Sequence, residues 1–198
     1  LGRQELFAED IEEADGALWK RAWLEDRSPA PEDLKRIVVG VDPAVTGSKE
    51  ADETGIIVAG ISQDNHIYIL GDHSLRASPS GWARSVVGAY EAYNADLIIG
   101  EVNNGGEMVE LTIKTISRNV PFKAVRASRG KAIRAEPIAA MYEDGKVTHV
   151  KEFEQLEDQM CTWTPDDTSH SPDRVDALVW ALTEIGRDRG NLRFRYIS

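Results

Sequence analysis

The sequence predicts an α/β domain built on a mixed sheet of about five strands, the first three antiparallel and the later ones parallel, flanked by helices. Three short apolar segments come first, with no helix-like segment between them, which is typical of an antiparallel meander. Strand-like and helix-like segments then alternate, which indicates parallel strands joined by crossover helices. Hydrophobic residues make up 41% of the 198 residues and charged residues 29%, a composition typical of globular domains.

The first strand, over 37–41, consists of β-branched residues apart from Gly40. This composition favours a strand buried on both faces, and a glycine inside such a strand often marks the close approach of another backbone. The strand ends at Asp42 because Pro43 cannot continue a ladder of hydrogen bonds. Open α/β sheets bind ligands at the carboxyl ends of their strands. Asp42 is therefore either part of a site or a residue that caps the turn.

The other elements follow from the spacing of apolar residues and from the turn signals between them. Strands are predicted over 54–60, 66–71, 96–100, 121–125 and 147–150, and helices over 78–93, 107–117, 131–143, 153–163 and 171–185. The strand over 96–100 also ends on an acid, Glu101. Ser171 as N-cap and Pro172 in the first turn are strong signals for the start of the last helix.

Two acids are expected side by side at one edge of this sheet. The crossover from the third strand through a helix can place the fourth strand beside the first and parallel to it. Asp42 and Glu101 would then end at the same edge as neighbours. Adjacent carboxylates repel each other and raise each other's pKa unless a cation lies between them, so the topology indicates a site that attracts a cation.

The last helix adds two more acids, Asp173 and Asp176, which are three residues apart and share one helical face. Asp176 directly precedes the apolar run 177–180 and so needs a partner or a metal ion. Asp173 lies in the first turn, where an acid interacts favourably with the helix dipole without any ion. Oxygen ligands without Cys or His fit Mg²⁺ or Mn²⁺, and such acids can hold two ions on a scissile phosphate.

A basic segment over 114–134 contains no acid. We predict that Arg129, Lys131 and Arg134 in this segment bind DNA phosphates. The alternative is an ordinary solvated basic face. The net charge of −11 argues against a nucleic-acid partner for the chain as a whole, so DNA binding would depend on this local charge and would weaken steeply with salt.

Four sequence motifs, in this order, resemble those of a known family. They are Val-Gly-Val-Asp-Pro-Ala (39–44), Ala-Asp-Glu-Thr-Gly-Ile (51–56), Glu-Val-Asn-Asn-Gly-Gly (101–106) and Ser-Pro-Asp-Arg-Val-Asp-Ala-Leu (171–178). They resemble the C-terminal nuclease domain of the large terminase subunit of tailed bacteriophages, which has a ribonuclease H-like fold. The resemblance covers most of 36–186.

The resemblance implies an endonuclease that depends on two Mg²⁺ or Mn²⁺ ions. It would cut double-stranded DNA with little sequence specificity when viral genome packaging starts and ends. By position, the resemblance implies that Asp42, Glu101 and Asp176 are catalytic acids and metal ligands. It makes Asp173 a further candidate ligand.

The chain is expected to have three parts: an acidic helical linker or appendage over 1–33, the nuclease domain over 34–186 and a basic tail over 187–198. The resemblance implies as partners double-stranded DNA, a packaging ATPase domain of the same full-length chain, and the portal and small terminase subunit in the cytoplasm of the bacterial host. The chain has no P-loop motif and does not begin with Met, so we expect a piece of a longer protein. No apolar run is long enough to span a membrane.

Other functions remain open at this point. A Holliday-junction resolvase has a similar fold. A sugar-kinase-like ATPase also ends its first strand on an Asp near a Thr-Gly turn, but it needs a second Gly-rich phosphate motif that the sequence lacks. A non-catalytic docking module would use the acids only to cap strands and helices, and its acids would not bind Mn²⁺ as a cluster.

Overall fold

The computed structural model describes residues 13–43, 53–102, 107–128, 130–167 and 171–187. Within these ranges the strands are β1 (Arg36–Asp42), β2 (Gly55–Ile61), β3 (Ile67–Asp72), β4 (Leu97–Glu101), β5 (Phe122–Val125) and β6 (Val147–His149). The helices are α1 (Pro79–Ala92), α2 (Glu107–Ile116), α3 (Lys131–Glu143), α4 (Glu154–Thr162) and α5 (Asp173–Arg187), preceded by a 3-10 turn at Arg21–Trp23. The predicted strands, and the predicted helices from residue 78 onwards, lie within one or two residues of these bounds.

One sheet of six strands runs through the described part of the chain, in the order β5-β4-β1-β2-β3-β6. β1 pairs with β2 and β2 with β3 in antiparallel fashion, whereas β4 lies parallel to β1, β5 to β4 and β6 to β3. This arrangement confirms the predicted α/β class and mixed sheet. Val41 pairs with Gly100, so the parallel neighbours β1 and β4 each end, one residue later, in an acid.

Helices cover both faces of the sheet and give the molecule two cores. Successive strand residues point to opposite faces, and β1 shows the result. Val38 packs in the core formed with α3, α4 and α5, whereas Val39 and Val41 pack in the core formed with α1 and α2. α5 lies against the central strands β1 and β2 and is buried along nearly its whole length.

The backbone of α5 lies directly on the backbone of the sheet at two glycines. A Cβ atom on Gly40 would lie 2.2 Å from the carbonyl oxygen of Ala177 and 2.9 Å from the Cβ atom of Ala181. A Cβ atom on Gly55 would lie 1.9 Å from the carbonyl oxygen of Asp173. The close approach expected at Gly40 is therefore confirmed, and its partner is the helix that carries the last two acids.

The acidic segment predicted as a helix is not helical where the structure describes it. Residues 13–33 contain one 3-10 turn and no α-helix. Trp19 is fully buried with its ring centroid 6.2 Å from that of Trp163, and Arg27 forms a 2.7 Å ion pair with the buried Glu157. The predicted helical character is therefore wrong for 13–33, because the irregular path of these residues carries Trp19 into the core.

Parts of two predicted segments lie outside the described ranges: residues 1–12 of the acidic segment and residues 188–198 of the basic tail. Within the ranges, no helix combines the length and the apolar composition needed to cross a membrane.

Gly40→Ala is expected to destabilise the protein by about 1–3 kcal/mol, because the added methyl group would overlap a helix carbonyl that cannot move without the whole helix. For a chain of this size, that loss lowers Tm by roughly 2–10 °C. The measurement is thermal unfolding followed by circular dichroism.

The matched control is Gly88→Ala in α1. A Cβ atom there would meet no atom within 4 Å, and Ala is a better helix former than Gly. Gly88→Ala should leave Tm unchanged or raise it. A Gly40→Ala protein as stable as the unmodified one would contradict the tight contact between α5 and the sheet.

Candidate active site

Four carboxylates from three elements meet at one edge of the sheet. β1 ends at Asp42 and β4 ends at Glu101, and the parallel pairing places these two strand ends side by side. α5 begins at the same edge and contributes Asp173 and Asp176 from its first turn. Glu101, Asp173 and Asp176 are buried, and Asp42 is partly exposed. The expected adjacency of Asp42 and Glu101 is confirmed.

The carboxylates oppose one another's ionisation. The pKa of Asp42 is raised well above its ordinary value, first because its carboxyl is withdrawn from water and then because Asp176, Asp173 and Glu101 repel its charge. The pKa of Asp173 is raised to about 6, mainly because burial removes its carboxyl from water. The edge therefore carries more negative charge than the chain itself stabilises, which favours binding of a cation.

Two cations from the first turn of α3 face these acids. The Nζ atom of Lys131 lies 2.5 Å from Oδ2 of Asp176. The guanidinium of Arg134 lies 3.6 Å from Oε2 of Glu101 and 3.8 Å from Oδ1 of Asp176. Lys131 and Arg134, predicted to bind DNA phosphates, thus lie beside the acids, and Arg129 lies outside the described residues.

The chemistry of the donor atoms fits a hard divalent cation. All four groups are carboxylates, and oxygen ligands without sulfur or imidazole suit Mg²⁺ or Mn²⁺. Oδ2 of Asp176 is buried and makes no hydrogen bond, since its contact with Lys131 has the distance of an ion pair without hydrogen-bond geometry. Across the described ranges, no three His, Cys, Asp or Glu side chains already surround a common point that could hold an ion. Binding one would therefore require these side chains to adjust and Lys131 to leave Asp176.

Comparison with known proteins shows which fold and which family this chain matches. The structure is similar to the large terminase nuclease from thermophilic phage G20c, with a TM-score of 0.62 at 12% identity over 86% of this chain and 99% of that one. The magnesium-bound structure of that nuclease gives 0.61 at 13% identity over 86% and 98%. No curated protein matches the sequence. The family model of the terminase RNaseH-like domain matches residues 39–184.

The chain belongs to the terminase RNaseH-like domain family. The matched residues include all four acids at the sheet edge. The resemblance to the terminase nuclease, and with it the ribonuclease H-like fold, is confirmed. The catalytic roles of Asp42, Glu101 and Asp176 and the metal-binding role of Asp173 stay predictions.

In this terminase domain Trp180 orients Glu101. The sequence pattern placed Trp180 only in the apolar run 177–180. Trp180 Nε1 donates a hydrogen bond to Oε2 of Glu101 over 3.0 Å. The guanidinium carbon of Arg134 lies 4.5 Å from the Trp180 ring centroid, which is within cation–π range. Trp180 follows Asp176 by four residues, and side chains at this spacing share a helical face. That spacing is the sequence signal that links Trp180 to the acids.

A buried arginine anchors the start of α5 in the terminase domain. The Nη2 atom of Arg174 donates to Oε1 of Glu53 over 2.9 Å, and its Nη1 atom lies 3.4 Å from both carboxylate oxygens of Asp72. Gln155 accepts a further hydrogen bond from Arg174. A buried arginine needs acidic partners. The position of Arg174 next to an apolar run indicates that it is buried, but only the fold shows which acids pair with it.

Asp42→Asn is expected to stabilise the metal-free protein near neutral pH. Because the folded pKa of Asp42 is raised, the folded protein binds more protons there than the unfolded chain, and stability is lost as pH rises from about 4 towards the folded pKa. Asn removes this cost. In EDTA, Tm should rise by a few degrees at about pH 7 and change little at about pH 3, where the carboxyl is protonated in both states.

The control is Asp33→Asn, which neutralises an exposed acid just before the opposite end of β1. Its Tm should hardly change at either pH. A Tm for Asp42→Asn below that of the unmodified protein at neutral pH would mean that the ionised carboxylate stabilises the fold, contrary to the repulsion inferred here.

Proposed function

We propose that this chain is a metal-dependent endonuclease domain that cuts double-stranded DNA with little sequence specificity when viral genome packaging starts and ends. The observation that carries the proposal is the meeting of four carboxylates at one sheet edge, in a domain of the terminase family. Asp42, Glu101 and Asp176 are the proposed catalytic acids and metal ligands, and Asp173 is a further proposed ligand. The nuclease domain is assigned to 34–186.

The proposed task of these acids is to hold Mg²⁺ or Mn²⁺, with two ions at full occupancy. The large terminase nuclease of phage G20c, whose fold this chain shares, has structures with bound magnesium and with bound zinc. The ions would supply an activated water and stabilise the leaving oxygen at the scissile phosphate. The chain contributes the geometry: β1 and β4 fix Asp42 and Glu101, the Trp180 N–H orients Glu101, and α5 brings Asp176 to them.

Lys131 is proposed to exchange Asp176 for a DNA phosphate. Without a metal ion, its ammonium neutralises the carboxylate of Asp176 at 2.5 Å. A divalent cation would compete with this ammonium for the same carboxylate, and the Lys131 side chain is 43% exposed, so it is free to turn towards a phosphate. Metal binding and DNA binding would then strengthen each other, as linkage requires. Arg134 and Arg129 are proposed to contact phosphates in the same region.

Plasmid cleavage tests the proposed function. The protein should cut supercoiled plasmid in Mg²⁺ or Mn²⁺ and should not cut it in excess EDTA. Asp176→Ala should lower the rate at least about a hundredfold, the scale of a lost metal-site interaction. Asp173→Ala should cost less, because at the first position of α5 it would remove only a weaker second metal site or roughly a kcal/mol of helix stability.

Asp33→Ala is the matched control and should cut at the unmodified rate. Undiminished cutting in EDTA would exclude metal dependence. If Asp173→Ala is inactive while Asp176→Ala still cuts across a titration of Mn²⁺, the third catalytic acid is Asp173, one helical turn earlier.

Lys131→Ala is expected to tighten Mn²⁺ binding while weakening DNA binding. Removing the ammonium leaves the carboxylate of Asp176 free for the ion, so the Kd for Mn²⁺ from calorimetry without DNA should fall several-fold. With Mn²⁺ bound and a duplex of non-cleavable phosphate analogues, the same variant should flatten the salt dependence of DNA binding by about one unit of slope, as expected for one lost phosphate contact.

Lys146→Ala removes a cation that is paired with the exposed Asp144, and it should change neither quantity. An unchanged Mn²⁺ affinity in Lys131→Ala would mean that Lys131 does not compete with the ion. An unchanged salt slope would place Lys131 away from the DNA.

The family match favours this function over a Holliday-junction resolvase or a docking module. A resolvase would cut a four-way junction faster than a linear duplex, and a docking module would not bind Mn²⁺. The proposed partners are double-stranded DNA, the packaging ATPase domain of the same full-length chain, the portal and the small terminase subunit, in the cytoplasm of the bacterial host.

A further inference from the structure

A basic groove of about 400 Å³ adjoins the acids on the face of the sheet that α3 and α5 cover. It lies between edge strand β5, the start of α3 and the second half of α5. Four cationic side chains line it: Lys123, Arg126, Arg134 and Arg187. Its lining contains no acid among the described residues, in a chain whose net charge is −11.

The rest of the lining is mainly apolar. Ile133, Pro137 and Trp180 contribute to its walls, and Ile133 is 52% exposed, one of the most exposed large apolar side chains in the described ranges. The groove therefore combines positive charge with hydrophobic surface. A site for phosphates alone would need only the charge.

A buried acid behind the groove holds two of its cations in place. Glu184 is 4% exposed, and its Oε2 atom accepts from Lys123 Nζ over 2.7 Å and from Arg187 Nη1 over 3.1 Å. Arg126, in contrast, is exposed and forms no ion pair with any described residue. The groove thus has two preorganised cations and one whose charge is not neutralised.

The groove shares a wall with the acidic cluster. Arg134 lines the groove while its guanidinium lies between Glu101 and the Trp180 ring. Its Nε and Nη1 atoms are buried and make no hydrogen bond with the described part of the chain. An anionic ligand in the groove would therefore lie directly beside a phosphate bound at the acids.

We propose that this groove binds unpaired nucleotides of one DNA strand next to the cleaved phosphate. The inference rests on the proposed nuclease function and adds a substrate feature to it. A volume of about 400 Å³ is at the small end of ligand pockets and is far too small for a duplex. Unpaired strands need both cations for phosphates and surfaces for bases, whereas duplexes are held mainly through their phosphates. The mixed lining fits the unpaired strand.

Binding of labelled DNA in EDTA tests this inference without cleavage. The substrates are a blunt duplex, the same duplex with a short unpaired overhang at its 5′ or 3′ end, and abasic versions of the overhangs. The unmodified protein should bind one overhang polarity at least about fivefold more tightly than the blunt end, the low end of what one bound base contributes. The salt slope for that overhang should be steeper by about 0.7 for each phosphate held.

Two groove variants separate the contributions. Arg126→Ala should remove about 0.7 from the salt slope of the overhang substrate and leave blunt-duplex affinity unchanged. Ile133→Ala should weaken binding of the normal overhang but not of the abasic one. The control is Arg84→Ala, which removes an exposed cation from α1 on the other face of the sheet and should alter none of these quantities.

Two results would overturn the assignment: equal affinity for blunt and overhanging ends, or an Arg126→Ala variant that loses affinity for both equally. The outcome is separable from that of the proposed function. Plasmid cutting without any overhang preference contradicts the groove assignment alone. Overhang preference in a protein that never cuts plasmid with Mn²⁺ contradicts the proposed function.

Discussion

The contact between the backbone of α5 and the middle of the sheet is the constraint on which the site depends. Gly40 and Gly55 leave no side chain between helix and strands, and the carbonyl groups of Ala177 and Asp173 lie in that space. A helix this close to the sheet carries its first-turn acids to the level at which β1 and β4 end in acids of their own. A larger residue at either glycine would push the helix outwards and separate the two pairs of carboxylates. The packing of α5 on the sheet therefore also determines the geometry of the site.

This geometry concentrates negative charge, and the chain balances only part of it locally. The raised pKa values of Asp42 and Asp173 show that the cluster resists full ionisation. α3 begins beside the cluster and supplies Lys131 and Arg134 as counter-charges. A proton and a lysine both relieve this repulsion, and the proposed metal ion would relieve it too, so the three would compete at one place. The net charge of −11 does not determine how strongly this edge attracts a phosphate. Because charges more than a Debye length away are screened, that attraction depends on the local cations around the acids.

Much of the fold was predictable because its signals are local. The β-branched run of β1 and the turn signals beside it mark a buried strand, and the crossover order places β4 next to it. The remainder depends on contacts between distant residues. The acidic pattern within 1–33 favours a helix by itself, but burial of Trp19 against Trp163 gives residues 13–33 a different path. The basic residues at the start of α3 could be identified from the sequence, but whether they face solvent or the acids depends on how α3 packs.

Charge networks at both ends of α5 explain how its register on the sheet is kept. Near the start of α5, Arg174 binds Glu53, which precedes β2, and Asp72, which is the last residue of β3. Near the end, the buried Glu184 binds Arg36 at the beginning of β1 and Lys123 in β5. Buried ion pairs contribute little net stability compared with apolar packing, but a misplaced charge without its partner costs several kcal/mol. A slip of α5 along the sheet would break both networks at once. The same two networks therefore hold the acids at one edge of the sheet and the cations of the basic groove beside them.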